Sequence, residues 1–291
     1  MPHRRAVVTR ARAAACLVLL AAAAAQAAGS PTLERIRNEG SIRLGYRAGA
    51  APFSFKERDG SVRGYSVEIC TRVAASIQKQ LGMSALKIEW TPVAAADRLD
   101  AVAKGKIDIE CGTTTISLSR YEKVDFSLPI FVDGGSVLSA ATSKLERFAD
   151  LASHKIACIP GTTTEQALKR QFGVIGAKAD LVPVKDNLEG LALLTTGKVD
   201  GYASDRLMLV ALRATSADPS HWQLLDTDFS YEPYALVVRR DDPDFRLAVN
   251  RGLVDLYRSG EIDPIFYRWL ANLGQPGPLL NAMFYLSTLP Q

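Results

Sequence analysis

Two short loops in the chain, residues 112–115 and 161–164, share the sequence Gly-Thr-Thr-Thr. Threonine hydroxyls and the free backbone N–H groups at the start of a helix can both bind an anion. Arg120 follows the first loop, and its guanidinium can form a bidentate pair with a carboxylate. Asp205 adds an acceptor for an ammonium group. Together these groups could hold an amino acid at both ends, so the pattern predicts ligand capture rather than catalysis.

The loops must be positioned by regular elements, and the first half of the chain predicts several. Alternating or continuous apolar residues predict strands at 41–46 and 86–90 and another strand that begins at Ile107. Apolar residues at three- and four-residue spacing predict a helix over 64–81 and a shorter helix that stops at Gly105. Strands that alternate with helices are typical of open, mostly parallel α/β sheets.

The second half of the chain repeats this alternation. The junction between helix and strand at 105–108 recurs at 197–200, which indicates two lobes of similar build. The two threonine loops are much closer together in the sequence than the two junctions are. We therefore expect the loops to occupy different places in the two lobes. The predicted strands lie at 155–159, 180–184 and 199–203, and the predicted helices lie at 163–172, 187–196 and 205–215.

The last part of the chain predicts how the two lobes are joined. A strand at 234–239 precedes two helices, at 243–259 and 262–270. If that strand returns to the first lobe, the chain crosses between the lobes twice. We therefore predict an α/β protein of two lobes, with two hinge segments and a cleft between the lobes. The predicted hinge segments are 131–137 and 231–237, lobe 1 is 28–133 plus 235–291, and lobe 2 is 134–234.

The N-terminal segment 1–27 has the three parts of a secretory signal peptide. A basic start precedes an apolar run over 13–25, and an A-x-A cleavage site ends at Ala27. The apolar run is too short to span a membrane comfortably. Removal of the segment, which holds four arginines and no acid, lowers the formal net charge from +4 to zero. We therefore predict a periplasmic protein and expect no nucleic-acid partner.

Several kinds of chemistry find no support in the sequence. Histidine and cysteine show no metal-ligand spacing, so no metal is expected. A nucleotide P-loop is not expected either, since neither threonine loop ends in Gly-Lys-Ser/Thr, and we predict no cofactor. The mature chain keeps three cysteines, an odd and sparse count that does not predict a disulfide framework. We interpret Cys70, Cys111 and Cys158 as small core residues.

The order of motifs resembles the polar amino-acid solute-binding proteins of bacterial ABC importers. This resemblance implies the two-lobed α/β fold of type II periplasmic binding proteins, with two hinge-crossing segments. The resemblance covers nearly all of the mature chain, and residues 109–115 with Asp97 and Arg98 are most similar to the glutamate/aspartate-binding branch. The motifs that carry it are, in order, 45–47, 51–55, 64–69, Asp108 with 113–115, Arg120, 126–129, 161–165, and 199–200 with Asp205.

This resemblance implies a role for each residue that would grip the amino-acid backbone. Arg120 is expected to bind the α-carboxylate, helped by Thr115 and by Thr163. Thr113 is expected to accept the α-ammonium through a backbone or hydroxyl oxygen. Asp205 would complete the ammonium site from the other lobe.

The resemblance also implies a pocket for the side chain of the ligand. Arg47 and Arg98 match positions that grip the side-chain carboxylate in the branch that binds acidic amino acids. The chain departs from that branch at two positions, since Ala95 and Asn187 stand where the branch has a serine and a histidine. Glutamate and aspartate are therefore the expected ligands, and their amides, glutamine and asparagine, stay open as alternatives.

Simpler interpretations exist for the same residues. Arg120 could pair with Glu122 or Asp125 on a solvated face, and Asp205 could serve only as the N-cap of a helix. Arg98 could be a solvated residue on the surface of its helix.

The sequence as a whole predicts a monomeric receptor, not an enzyme, that hands its ligand to an ABC permease and its ATPase at the inner membrane. One rival is an enzyme on the same fold, such as a periplasmic dehydratase, for which Glu110 is the acid beside the first loop. A second rival is a sensing module, which the sequence disfavours.

Overall fold

A computed structural model describes residues 29–290 of the chain. The predicted signal peptide, 1–27, lies outside the described residues. Between residues 29 and 290, no helix combines the length and the apolar character that a membrane crossing requires.

The first of two five-stranded sheets combines the N-terminal strands with strands from the middle and the end of the chain. Its order is β5-β1-β6-β13-β7, and β1 pairs in parallel with both β5 and β6. Strand β13 runs antiparallel to both of its neighbours. The bounds are β1 Ser41–Tyr46, β5 Lys87–Pro92, β6 Ile109–Glu110, β7 Val124–Asp133 and β13 Glu232–Arg239.

Seven helices accompany this sheet within the described residues. The longest two form because their apolar residues recur on one face, and these faces enclose a single core with the sheet. The bounds are α1 Pro31–Glu39, α2 Tyr65–Gln80, α3 Arg98–Ala103, α4 Leu118–Tyr121, α8 Pro243–Arg258, α9 Ile262–Leu270 and α10 Pro278–Leu286.

The second sheet has the same mixture of pairings. Its order is β10-β9-β11-β8-β12, with β9 parallel to β10 and β11, and with β8 antiparallel to β11 and β12. The strands are β8 Gly135–Ala140, β9 Lys155–Cys158, β10 Asp180–Pro183, β11 Gly201–Asp205 and β12 Trp222–Leu224. The helices are α5 Thr163–Val174, α6 Asn187–Thr195 and α7 Arg206–Ala214.

The chain passes between the two sheets twice. It leaves the first sheet at the end of β7 and enters the second at Gly135, and it returns at the start of β13. Each sheet has its own buried core, so the predicted two-lobed α/β fold is confirmed. We call the part built on the first sheet lobe 1 and the part built on the second sheet lobe 2.

The structure corrects three expectations about the elements. The sheets are mixed rather than mostly parallel, because the strands next to the crossings run antiparallel to their neighbours. No strand was predicted between β1 and the long helix, but this region forms a small antiparallel sheet of β2 Gly49–Ala50, β3 Ser54–Lys56 and β4 Val62–Arg63. Helices α1 and α10 were not predicted, and short 3₁₀ turns lie at Ala141–Ser143, Phe148–Leu151, Pro219–His221 and Ala271–Leu273.

The interpretation of all three cysteines as unpaired core residues is wrong for two of them. Cys70 and Cys111 form a disulfide across 41 residues of sequence, whereas Cys158 is free and buried. Cys70 lies on the inner face of α2, and Cys111 follows β6 directly. The bond therefore ties the long helix of lobe 1 to the start of the first threonine loop. Both residues are also fully buried, so the expectation of a core location was right.

We predict that loss of this disulfide destabilises the protein measurably. The cross-link closes a loop long enough to contribute about 2–4 kcal/mol through the entropy of the unfolded chain. Cys111→Ala should therefore lower the free energy of unfolding by an amount in that range, measured by urea denaturation. Cys158→Ala is the matched control, since it removes a buried cysteine that forms no bridge. If reducing agent leaves the unfolding curve of the wild type unchanged, the bridge does not contribute in solution.

Candidate ligand-binding cleft

One cavity between the lobes brings most of the predicted site residues together. The space inside it that a water-sized molecule can reach is about 40 Å³. Six of the seven predicted residues line it: Arg47, Arg98, Thr113, Thr115, Thr163 and Asp205. The seventh, Arg120, is not among the lining residues and lies behind Thr115, to whose carbonyl its Nη1 donates at 2.7 Å.

The side of the cleft formed by lobe 1 carries two arginines. Arg47 directly follows β1, and its backbone N–H donates to the hydroxyl of Ser54 at 2.9 Å. Arg98 opens α3 and is only 4% exposed, so it is not the solvated helix residue of the simpler interpretation. Its Nε donates to the Thr114 hydroxyl at 2.7 Å, and its Nη1 donates to the carbonyl of Ala95. The guanidinium of Arg98 is therefore held in place by the threonine loop.

The first threonine loop is held in turn by β13. The Ala235 N–H donates to the Thr114 carbonyl at 3.1 Å, and the Ile116 N–H donates to the Pro233 carbonyl at 2.8 Å. The loop passes so close to its neighbours that a Cβ on Gly112 would lie 2.2 Å from a carboxylate oxygen of Glu110. A larger residue at position 112 would therefore force the side chains of Glu110 and Arg47 to shift.

Arg120 is buried rather than placed on a solvated face. It belongs to the one-turn helix α4, which begins after the N-cap Ser117, and it is 8% exposed. Asp125, one of the acids that could have paired with it at the surface, forms a salt bridge with Arg246 at 3.0 Å.

Lobe 2 contributes the N-terminus of α5. Thr162 caps this helix by accepting from the Glu165 N–H at 3.2 Å, and residues 162–164 line the cavity. Asn187, at the start of α6, donates from Nδ2 to the carbonyl of Gly49 at 3.0 Å. Because Gly49 belongs to lobe 1, this bond joins the two rims of the cleft.

Asp205 ends β11 and faces the cavity. It occupies the N-cap position of α7, but its carboxylate bonds other groups than the helix backbone. Oδ1 accepts from the Thr164 hydroxyl at 3.0 Å, and Oδ2 accepts from the Tyr234 hydroxyl at 2.5 Å. Asp205 therefore occupies the N-cap position that the simpler interpretation gave it, but its side chain forms no capping hydrogen bond with the helix backbone.

Sequence reasoning missed Glu232, the first residue of β13. Its carboxylate is 1% exposed and accepts hydroxyl groups from Thr115 and Thr163 at 2.6 Å each. The available signal was a single acid at the start of an otherwise apolar strand. The partners could not be read from that signal, since Thr115 lies 117 residues away in sequence.

The pKa values of the three arginines, Arg47, Arg98 and Arg120, are all lowered, because burial opposes the charged form. Burial and, after it, the neighbouring charge of Arg47 together lower the pKa of Arg98 to about 9. Burial also lowers the pKa of Arg47, opposed by the charge of Glu110, and that of Arg120, opposed by the charge of Glu232. An anion bound between these groups would raise their pKa values, because a nearby opposite charge favours the charged form of an arginine.

Comparison with known proteins identifies the family. Residues 42–272 match the bacterial extracellular solute-binding proteins, family 3. The chain belongs to this family.

Individual relatives of this family 3 protein cover most of its length. The L-glutamate/L-aspartate-binding protein of Pseudomonas aeruginosa is 32% identical, over 88% of this chain and 85% of that protein. The glutamate/aspartate import solute-binding protein of Escherichia coli is 30% identical, over 90% of this chain and 86% of that protein. The crystal structure of an ancestral amino acid-binding protein, a precursor of cyclohexadienyl dehydratase, has a TM-score of 0.71 and 27% identity, covering 82% of this chain and 98% of its own.

Two carboxylic acids beside the hinge make stability depend on pH. Burial and the nearby charge of Asp205 raise the pKa of Asp133 to about 7, and burial and the charge of Glu232 raise that of Asp205 to about 6. The hydroxyl of Tyr234 contacts both carboxylates, at 3.2 and 2.5 Å. Since the folded protein holds protons there that the unfolded chain has released, folding becomes less favourable as pH rises through these values.

We predict that the free energy of unfolding of this solute-binding protein falls between about pH 5.5 and pH 8. Urea denaturation at several pH values measures the slope, without added ligand. Asp133→Asn should flatten it, because an amide cannot ionise, whereas Asp226→Asn, at an exposed position, should leave it unchanged. A wild-type stability that is constant or rises over this interval would contradict the buried, protonated pair.

Proposed function

We propose that this family 3 protein is the periplasmic receptor of an ABC importer and that it closes its two lobes around L-glutamate or L-aspartate. The observation that supports this most directly is that Arg47 and Arg98 line one cleft with Asp205, while the buried Arg120 donates to the carbonyl of Thr115 in the same wall. An acidic amino acid carries two carboxylates and one ammonium. The guanidinium groups of the site complement the two carboxylates, and Asp205 complements the ammonium.

Each end of the ligand has a proposed partner. Arg120 binds the α-carboxylate, together with the first backbone N–H groups of α5, which have no partner inside their own helix. Asp205 and Thr113 receive the α-ammonium from opposite lobes. Arg47 and Arg98 bind the side-chain carboxylate, and charge-assisted bonds of this kind contribute about 1.5–3 kcal/mol each.

The names of the two relatives support acidic amino acids as the ligand, because both are described as binding glutamate and aspartate. The amides remain the alternative ligands. Asn187 stands in the wall of the cleft, but its side chain is committed to Gly49, Tyr202 and Ser204, so its amide is not directed at a ligand side chain.

Closure of the lobes is part of the proposal. The bond between Asn187 and Gly49 joins the two rims of the cleft. The bond between Thr163 and Glu232 joins lobe 2 to the hinge strand β13. Lobe opening would break them, and a ligand that bridges the lobes would add to them. The receptor acts as a monomer in the periplasm and delivers its ligand to a permease and its ATPase at the inner membrane.

An enzymatic function on the same fold is the rival, and the structural relative described as a precursor of a dehydratase is the reason to test it. Glu110 is the acid that such an enzyme would use. Its Oε2 accepts from the Thr114 hydroxyl at 2.7 Å, and the same hydroxyl oxygen accepts from Arg98. This chain of bonds supports a structural role for Glu110, and an absence of turnover of prephenate and arogenate by the purified protein would exclude the rival.

We predict a preference for acidic amino acids that depends on Arg47 and Arg98. Glutamate or aspartate should bind at least about tenfold more tightly than glutamine or asparagine, since a neutral amide leaves desolvated guanidinium groups without an anion. Calorimetric titration with the twenty amino acids measures this. Arg47→Ala/Arg98→Ala should abolish the preference and retain weak binding. A wild type that prefers a basic amino acid or an amide over both acids would overturn the ligand assignment.

Arg120→Ala should weaken binding of every amino acid that binds the wild type by at least about a hundredfold, or about 3 kcal/mol, because the α-carboxylate is common to all of them. Arg246→Ala is the matched control: it removes a half-exposed arginine of the same lobe that pairs with Asp125. Binding by the Arg120 variant within about fivefold of the wild type would show that the α-carboxylate binds elsewhere.

A further inference from the structure

A second cavity adjoins the ligand cleft, and we call it the outer cavity. The space that a water-sized molecule can reach in it is about 340 Å³, against about 40 Å³ in the cleft itself. Residues 48–49 and 92–95 of lobe 1 line one side, and residues 185–187 of lobe 2 line the other. Arg47 and Asn187 line both cavities. The outer cavity therefore extends the cleft along the gap between the two rims.

The two cavities meet at the proposed position of the ligand side chain. Arg98 lines only the cleft, whereas Arg47 lines the cleft and the outer cavity. In the proposed function these two guanidinium groups bind the side-chain carboxylate, so the end of the ligand side chain lies where the cavities join. A group attached to that end would extend past Arg47 into the outer cavity.

Small residues of lobe 1 leave room for such a group. Ala48 and Gly49 follow Arg47 directly, and Ala94 and Ala95 lie in the segment between β5 and α3. Three of these four residues are exposed, so the outer cavity opens to solvent. A polar or charged arm on the ligand could therefore enter it and keep part of its hydration.

The charges around the outer cavity favour an anionic arm. Within the described part of the chain, its cationic lining residues are Arg47 and Lys185, and its acidic one is Asp186. The Asp186 carboxylate caps α6 by accepting from the Glu189 N–H at 2.9 Å. Lys185 is exposed, and its side chain forms no salt bridge within residues 29–290. An ammonium without an acidic partner, beside a guanidinium that the cleft shares, complements a carboxylate.

We propose that the outer cavity is a subsite for an anionic arm on the ligand side chain, so that the receptor binds γ-glutamyl amino acids, such as γ-L-glutamylglycine, as well as free acidic amino acids. This inference rests on the proposed function, since it places the glutamyl part of the ligand in the cleft. The γ-amide carbonyl then lies beside Arg98. The glycyl carboxylate lies one residue length, roughly 3.5 Å, farther on, where it pairs with Arg47 and Lys185.

The test compares two ligands that differ in one group. γ-L-Glutamylglycine and γ-L-glutamylethylamide share the γ-amide and have nearly the same length, but only the first carries a terminal carboxylate. Calorimetry of the mature chain should show that γ-L-glutamylglycine binds at least about tenfold more tightly, because the ethylamide leaves Arg47 and Lys185 without an anion. α-L-Glutamylglycine, whose peptide bond removes the α-carboxylate, should bind at least about a hundredfold more weakly than the γ-linked isomer.

Variants at an exposed position test the cation of the outer cavity. Lys185→Glu should lower the affinity ratio of γ-L-glutamylglycine to the ethylamide by at least about fivefold, because the reversed charge repels the terminal carboxylate. Lys185→Arg keeps the charge and should keep the ratio within about twofold. Lys198→Glu is the matched control, since it reverses the charge of an exposed lysine beyond the opposite end of α6 and should leave the ratio unchanged.

The outcomes separate this inference from the proposed function. Wild-type protein that binds none of the twenty amino acids would refute the proposed function, and the inference with it. Wild-type protein that binds L-glutamate, but binds γ-L-glutamylglycine no more tightly than the ethylamide, would refute the inference alone. The inference also fails if α-L-glutamylglycine binds as tightly as the γ-linked isomer, or if Lys185→Glu changes the ratio no more than Lys198→Glu does.

Discussion

The structure depends above all on how three guanidinium groups are kept charged in one largely buried cleft. Burial alone opposes a charged arginine, and Arg98 also feels the positive charge of Arg47. Carboxylates beside the site offset part of this cost, with Glu110 acting on Arg47 and Glu232 acting on Arg120. An anionic ligand of the kind proposed would neutralise the remaining positive potential. Ligand binding and stability would then depend on the same charge distribution.

Topology brings these charges to one place. Most of the site residues follow the carboxyl ends of parallel strands, the edge at which ligands of α/β sheets bind. Glu232 reaches the same edge from the opposite direction, because β13 runs antiparallel to β6 and so begins where β6 ends. The hinge strand thus contributes a side chain to the back of the cleft as well as a connection between the lobes. If the lobes open as proposed, the bond between Glu232 and Thr163 must rearrange with them, since Thr163 belongs to lobe 2.

The hinge also links the cleft to protonation. Tyr234, in β13, contacts Asp205 in the cleft and Asp133 at the first crossing. A ligand ammonium near Asp205 would favour its ionised form, whereas the buried pair without such a cation favours the retention of a proton. Ligand binding is consequently expected to release protons, with the hinge carboxylates as the source. This follows from the spacing of the groups around Tyr234 and requires no change in the fold.

Local pattern was sufficient for much of this protein. The period of apolar residues predicted β1, α2, α8 and α9 closely. The threonine loops and Asp205, with Arg47 and Arg98 added from the family resemblance, singled out residues that line one cavity. Local pattern could not predict contacts between distant segments, because these contacts depend on strand register and on which helix face meets which loop. The Cys70–Cys111 bridge, the antiparallel hinge strands and the position of Glu232 are all of this kind. Residue type alone shows that a threonine can donate or accept, and only the carboxylate placed behind it by the tertiary structure decides which it does.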